Sequence, residues 1–203
     1  MQWPAYVMRV HISRRPLDWA SLSWDKLEPL QHDWHGAPIS RPLHYKLCID
    51  NSHLWFAAIH QSAPYTHPDA VESTFTPELW KYDLAELFLS NPERNAYLEL
   101  NLAANGAWWS AEFASARQLN GRCDTPIPGI QTYHKEIPNS GWAAAMAIPL
   151  AELKATLGFP ENAHACVCSI TSSPDQQLAT ATPLPGDTPD FHQPKHFQKL
   201  QIQ

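Results

Sequence analysis

Polar side chains occupy alternate positions in three consecutive segments, residues 82–90, 96–103 and 107–117. Successive side chains of a β-strand point to opposite faces of a sheet. If the leucines of these segments form the core face, the opposite face carries Glu86, Tyr97, Glu99, Asn101, Ser110 and Glu112. A face of this kind either contacts water, which is common in antiparallel sheets, or lines a cleft in which carboxylates and amides bind a ligand.

Two aromatic residues lie close to this polar face in the sequence. Trp80 ends a long loop just before residues 82–90, and Phe191 lies in the proline-rich segment before the last strand pattern. Aromatic rings beside carboxylates and amides suit a sugar, because its C–H face stacks on a ring while its hydroxyls pair with polar groups. Stacking would contribute roughly 2.5 kcal/mol and each hydrogen bond about 1 kcal/mol. We therefore predict a shallow, aromatic-walled saccharide or polyol site of roughly micromolar to millimolar affinity.

The same carboxylates leave an enzymatic alternative open. Glu86 and Glu99, on adjacent predicted strands, could serve as the paired carboxylates of a glycosidase. A hydrolase would turn over nitrophenyl glycosides and lose activity in Glu86→Gln, whereas a binding protein would show only saturable binding. Carboxylates on neighbouring strands more often face water, so we predict no catalytic residues.

Histidines and cysteines indicate a metal site only weakly. His192 and His196 have the spacing of zinc ligands, but Pro194 between them opposes the helix that would align them. Cys166 and Cys168 lack the spacing of a zinc knuckle or a redox motif. We expect all the cysteines to be small buried hydrophobes, namely Cys48, Cys123, Cys166 and Cys168.

Composition limits the partners and the location of the chain. Its 203 residues include 14 Lys plus Arg and 20 Asp plus Glu, a net charge of −6. This charge disfavours nucleic acid and anionic membranes as partners. Pro4, Arg9 and His11 interrupt any apolar run near the start, so we predict neither a signal peptide nor a spanning helix, and hence a cytoplasmic protein. We expect residues 1–203 to form a single domain.

Strand patterns dominate the rest of the chain. Residues 44–50 and 53–60 predict a hairpin. Further strand patterns are residues 6–13, 131–136, 141–148, 163–171 and 198–202. Helices are predicted at 19–27 and at 150–157, the second ending at Gly158. About nine or ten short strands predict an all-β protein, an antiparallel β-sandwich of jelly-roll or immunoglobulin-like form with one or two short helices.

Several segments resemble, in order, the family 9 carbohydrate-binding modules and their DOMON-like relatives. They are residues 79–89 (LWKYDLAELFL), 97–102 (YLELNL) with 106–109 (GAWW), 141–150 (GW through IPL) and 189–197 (PDFHQPKHF). The resemblance spans roughly residues 40 to 203, and its most specific parts are W-x-x-D-x-x-E-x-F and F-H-x-P-x-x-F.

This resemblance implies a β-sandwich that binds sugars without a catalytic cofactor, in some members at chain ends between two aromatic rings. It implies that Trp80 is the first ring, that Phe191 stands where the family has a tryptophan, and that Glu86 and Asn101 contact the ligand. Glu99 stands where the family has an arginine, so an acceptor replaces a five-donor group at that position, and we expect Glu99 to be a further polar contact.

The resemblance also implies two other ligands. Loop oxygens hold a structural calcium ion in related modules, and a calcium ion is therefore more plausible here than zinc. DOMON-type domains bind haem or hydrophobic ligands between their sheets, for which this chain offers Met8 and Met146. We rank haem binding below saccharide binding.

Overall fold

The computed structural model describes residues 7–120, 126–138 and 141–203, which are mostly β-structure. In chain order the strands are β1 (Met8–Ile12), β2 (Glu28–Pro29), β3 (His44–Ile49), β4 (His53–His60), β5 (Leu84–Ser90), β6 (Tyr97–Ala103), β7 (Trp108–Ser115), β8 (Gln118–Leu119), β9 (Gln131–Ile137), β10 (Gly141–Pro149), β11 (His164–Thr171), β12 (Gln177–Thr180) and β13 (Gln198–Ile202). One α-helix, α1 (Leu150–Leu157), and the 3-10 turns Leu79–Lys81 and Pro194–His196 complete the described elements. The predicted all-β class is confirmed.

The strands form one curled sheet of mixed direction. Its order is β8-β7-β6-β5-β11-β13-β1-β3-β4-β10-β9, with β12 beside β11 and β2 beside β3. Strand β1 runs parallel to both β13 and β3, whereas the other pairs are antiparallel. The prediction of a purely antiparallel sandwich is corrected accordingly. Parallel neighbours require a long crossover connection, so their pairing leaves no local pattern in the sequence.

The curled sheet forms two layers whose apolar faces pack against each other. One layer contributes Ala85, Leu87, Leu89, Leu98, Leu100 and Leu102, and the other contributes Leu47, Leu54, Phe56, Ala144, Met146 and Ile148. The leucine face of β5 and β6 is thus the core face, as predicted. Met8 and Met146 are both packed in this core, at 2% and 0% exposure.

The two predicted helices have different outcomes. Residues 150–157 form α1, which ends at Gly158 with a left-handed φ of 69°. Residues 19–27 form a single turn and no helix. Trp19 and Trp24 of this segment pack instead on an apolar patch of β3, β4 and β10, because tertiary contacts outweigh the weak intrinsic stability of a short helix. Across the described ranges, no helix has the length and apolar character needed to cross a bilayer.

Asp50 organises the turn between β3 and β4. Its Oδ1 accepts hydrogen bonds from the backbone N–H groups of Ser52 and His53, each at 2.8 Å. Its Oδ2 accepts from the backbone N–H of Leu17 at 2.8 Å and from the indole of Trp55 at 3.0 Å. Burial alone would raise the pKa of Asp50, but these hydrogen bonds outweigh it and hold the pKa at about 2.

We expect Asp50→Asn to lower the free energy of unfolding by about 1–2 kcal/mol at pH 7, because an NH₂ group would replace one acceptor oxygen. A depressed pKa stabilises the fold above the ordinary value of 3.8, and that contribution is lost as the pH falls towards about 2. Urea unfolding at pH 7 and at about pH 3 should therefore show that the free energies of unfolding of the wild-type protein and Asp50→Asn differ less at the lower pH. The exposed Asp69→Asn is the matched control, and an equal loss in both variants would contradict the role of Asp50.

Candidate functional site

The sheet face opposite the leucine core is buried. Glu86, Glu99 and Asn101 are only 2%, 4% and 0% exposed. An outer apolar cluster surrounds them, made by Leu79, Leu84, Phe88, Tyr97, Trp109, Phe113, Cys166, Cys168, Ile170, Phe191 and Phe197, among others. Of the two alternatives for this face, a water-exposed surface is therefore wrong, because residues of loop and tail segments pack around its polar side chains.

Two residues predicted for this face lie on the other side of the sheet. Register pairs Glu86 of β5 with Asn101 of β6, and Asn101 with Trp109 of β7. The odd-numbered residues of β7 therefore share the polar face, and Ser110 and Glu112 lie on the leucine side. Both alternating sets of β7 contain a tryptophan, so only strand pairing decides which one faces outward.

A cavity of about 570 Å³ opens on the outer face. Its lining residues are Glu78, Trp80, Glu86, Phe88, Glu99, Trp109, Phe113, Arg117, Leu119, Ile170, Gln176, Leu178, Pro189, Asp190, Phe191 and His192. Small-molecule sites typically measure about 300–1,000 Å³. Trp80, Glu86, Glu99 and Phe191 line this cavity together. Asn101, the fifth predicted ligand contact, is not a lining residue, but its amide donates a hydrogen bond to Glu99.

The 3-10 turn Leu79–Lys81 places Trp80 at the edge of the cavity. Leu79 is 1% exposed and anchors the turn in the outer cluster, whereas Trp80 remains 36% exposed. The indole makes an edge contact with Trp109, with ring centroids 5.0 Å apart and ring planes at 65°. A large, partly exposed aromatic surface is thus available to a ligand.

Phe191 is the second predicted ring. It is 9% exposed, and its ring centroid lies 6.0 Å from that of Trp34 and 6.4 Å from that of Phe88. These contacts belong to the outer aromatic cluster, and the ring is not packed among the leucines between the two layers. The cavity adjoins both Trp80 and Phe191.

Glu86 and Glu99 bring two carboxyl groups into this apolar surrounding. Glu86 Oε2 and Asn101 Oδ1 are buried without a hydrogen-bond partner in the described residues, and Glu99 Oε1 accepts from the Asn101 amide at 3.2 Å. Burial, together with the neighbouring Glu99, raises the pKa of Glu86 well above its usual range. Burial also raises the pKa of Glu99 to about 7, although Asn101 and Arg117 oppose this. Protonated carboxyl groups can both donate and accept hydrogen bonds to a ligand.

His192 connects the cavity to the turn after β7. Its Nδ1 lies 2.7 Å from the Tyr97 hydroxyl, and its Nε2 lies 3.5 Å from Glu99 Oε2. The same hydroxyl accepts from the backbone N–H of Arg117 at 3.2 Å, and the Arg117 guanidinium bonds Asp190 at 2.9 Å. Burial and then Arg117 lower the pKa of His192 to about 4, so its ring is neutral at pH 7.

Sequence patterns do not single out Arg117 or Trp109 as site residues, and they indicate His192 only through its zinc-like spacing from His196. His192 and Trp109 also belong to segments that carry the family resemblance. Arg117 follows the end of β7 in a left-handed conformation, with φ of 58°, and no motif marks it.

Metal ligands are not gathered at this site or elsewhere in the described ranges. Within residues 7–120, 126–138 and 141–203, no group of three or more His, Cys, Asp or Glu side chains is placed to hold a metal ion. Cys48, Cys166 and Cys168 are buried free thiols, as predicted, and Cys123 lies outside the described residues. The structural calcium ion stays a prediction.

No protein-family model matches the sequence, and no curated protein matches it. Solved structures do match. A protein of Bacteroides uniformis ATCC 8492, proposed to bind carbohydrate, superposes with a TM-score of 0.73 at 14% identity, over 98% of this chain and 99% of that one. A family 9 carbohydrate-binding module of Caldicellulosiruptor kristjanssonii in complex with glucose superposes with a TM-score of 0.60 at 12% identity, over 96% of this chain and 95% of that one. A family 9 module of the same organism in complex with cellotriose superposes with a TM-score of 0.59 at 14% identity, over 96% of this chain and 93% of that one.

The chain has the fold of the family 9 carbohydrate-binding modules. The resemblance seen in the sequence motifs is thus confirmed at the level of the fold, although identity is low. In this carbohydrate-binding-module fold, the layer formed by β5, β6, β7 and β11 carries the cavity on its outer face, and the other layer closes the leucine core.

Proposed function

We propose that the protein binds a small saccharide, without turning it over, in the cavity bounded by Trp80 and Phe191. The observation that carries this proposal is the placement of two buried carboxyl groups, Glu86 and Glu99, in a cavity with aromatic walls. Apolar and aromatic walls with a few converging polar groups are the usual composition of a small-ligand site.

The polar groups have separate roles in this proposal. Glu86 Oε2 has no partner among the described residues and can bond a sugar hydroxyl. Glu99 offers its Oε2, while Asn101 holds its other oxygen at 3.2 Å and fixes the carboxyl group. Trp80 stacks on the C–H face of the sugar, and Phe191 covers a further apolar edge. These contacts support an affinity in roughly the micromolar to millimolar range.

The solved relatives support the same class of ligand. Two structures of family 9 modules hold glucose and cellotriose, and the chain shares their fold over nearly its whole length. Their sugars are neutral and rich in hydroxyls, which matches a site whose free polar atoms include buried carboxyl oxygens.

Titration with glucose, cellotriose and a panel of other neutral sugars tests the proposal. We expect saturable changes in tryptophan fluorescence and saturable heats of binding for at least one of them. The absence of any saturable response at up to about 50 mM sugar would overturn the proposal.

A glycosidase is the second candidate, because two carboxyl groups with raised pKa values share one cavity. Incubation with nitrophenyl glycosides distinguishes the two functions. Turnover that disappears in Glu86→Gln would show that the protein is a glycosidase and would overturn the binding proposal. Saturable binding without turnover would support the binding proposal.

A further inference from the structure

Acidic side chains outnumber basic ones in the lining of the cavity. The acidic residues are Glu78, Glu86, Glu99 and Asp190, and the arginine is Arg117. This imbalance favours a ligand that carries a positive charge over one that carries a negative charge.

The peripheral charges form pairs among themselves. Arg117 bonds Asp190 at 2.9 Å, and Glu78 pairs with Lys81 at 2.6 Å. These pairs leave Glu86 and Glu99 as the acidic groups without a cationic side chain in direct contact among the described residues. The neighbouring His192 is neutral at pH 7 and adds no compensating charge.

Glu99 has one oxygen in a position to receive a cation. Its Oε1 accepts from Asn101, whereas its Oε2 lies 3.5 Å from His192 Nε2, which is longer than an ordinary hydrogen bond. The Glu99 side chain is only 6% exposed. In such a dry surrounding, an ammonium group that reaches Oε2 gains a charge-assisted hydrogen bond that water weakens very little.

We propose that the preferred ligand is an amino sugar with a free ammonium group, and that Glu99 Oε2 holds this ammonium. This inference rests on the proposed saccharide-binding function and names its substrate class. The sugar ring stacks on Trp80, and the ammonium supplies the cationic partner that Glu99 lacks among the described residues. An N-acetylated sugar can donate only a neutral hydrogen bond to Glu99 and forms no ion pair with it, because its amide carries no charge.

Calorimetric titration of the wild-type protein with glucosamine, glucose and N-acetylglucosamine at pH 7 and low ionic strength tests the inference. We expect glucosamine to bind at least about 10-fold more tightly than the other two sugars. In Glu99→Gln the ratio of glucosamine to glucose affinity should fall to near one. The matched control is Glu112→Gln, which alters a carboxyl on the opposite face of β7 and should keep the full preference.

The possible results of this titration distinguish the amino-sugar inference from the proposed saccharide-binding function. Equal affinities for glucosamine and glucose in the wild type overturn the amino-sugar inference and leave saccharide binding intact. A preference that survives in Glu99→Gln overturns the role of Glu99. Failure of all three sugars, together with the neutral panel, overturns the proposed function itself.

Discussion

Trp80→Ala is expected to abolish the saccharide-induced fluorescence change and to weaken binding at least about 30-fold, equivalent to about 2 kcal/mol. The indole forms an aromatic wall of the cavity and retains 36% exposure, so its removal deletes a stacking surface. Stability should change little, because the described ring contact of Trp80 is one edge contact with Trp109. We expect the melting temperature to fall by no more than about 3 °C.

The matched control for this variant is Trp24→Ala. Trp24 is also partly buried, but it packs on the patch formed by β3, β4 and β10, away from the cavity. This variant should keep both the saccharide response and the affinity. A large loss of thermal stability in Trp80→Ala would instead show that the indole is a packing residue, and unchanged affinity would remove it from the site.

The fold was predictable where the evidence is local. Alternation in β5 and β6 identified the core face correctly, and Gly158 marked the end of α1. The parallel neighbours of β1 could not be predicted, because β13 lies at the other end of the chain. Residues 19–27 have helical spacing, but the apolar patch beneath them binds their tryptophans in another conformation.

The site was predictable in part for the same reason. Glu86 and Glu99 lie on strands whose faces follow from alternation, so their shared face was predictable. Strand β7 was assigned to the wrong face, since its register depends on pairing with β6. Arg117 reaches the cavity only through the turn after β7, and no sequence pattern indicates such a long-range approach.

We expect the ionisation of Glu99 to lower the free energy of unfolding as the pH rises. Burial raises its pKa from an ordinary 4.5 to about 7 in the folded protein. A carboxyl group with a raised pKa gives a contribution that is fully present below 4.5 and is lost as the pH rises through about 7, because the unfolded chain then binds fewer protons than the folded one. This difference in pKa corresponds to about 3 kcal/mol.

Glu99→Gln is therefore expected to raise the free energy of unfolding by about 2–3 kcal/mol at pH 8 and to change it little near pH 4.5. Urea unfolding of both proteins at the two pH values measures the effect. Glu112→Gln should show no such dependence. A loss of stability in Glu99→Gln that is larger at pH 8 than at pH 4.5 would mean that the native state favours the ionised carboxylate and would contradict this prediction. A gain at pH 8 together with weaker glucosamine binding would show that Glu99 is retained for ligand recognition at a cost in stability.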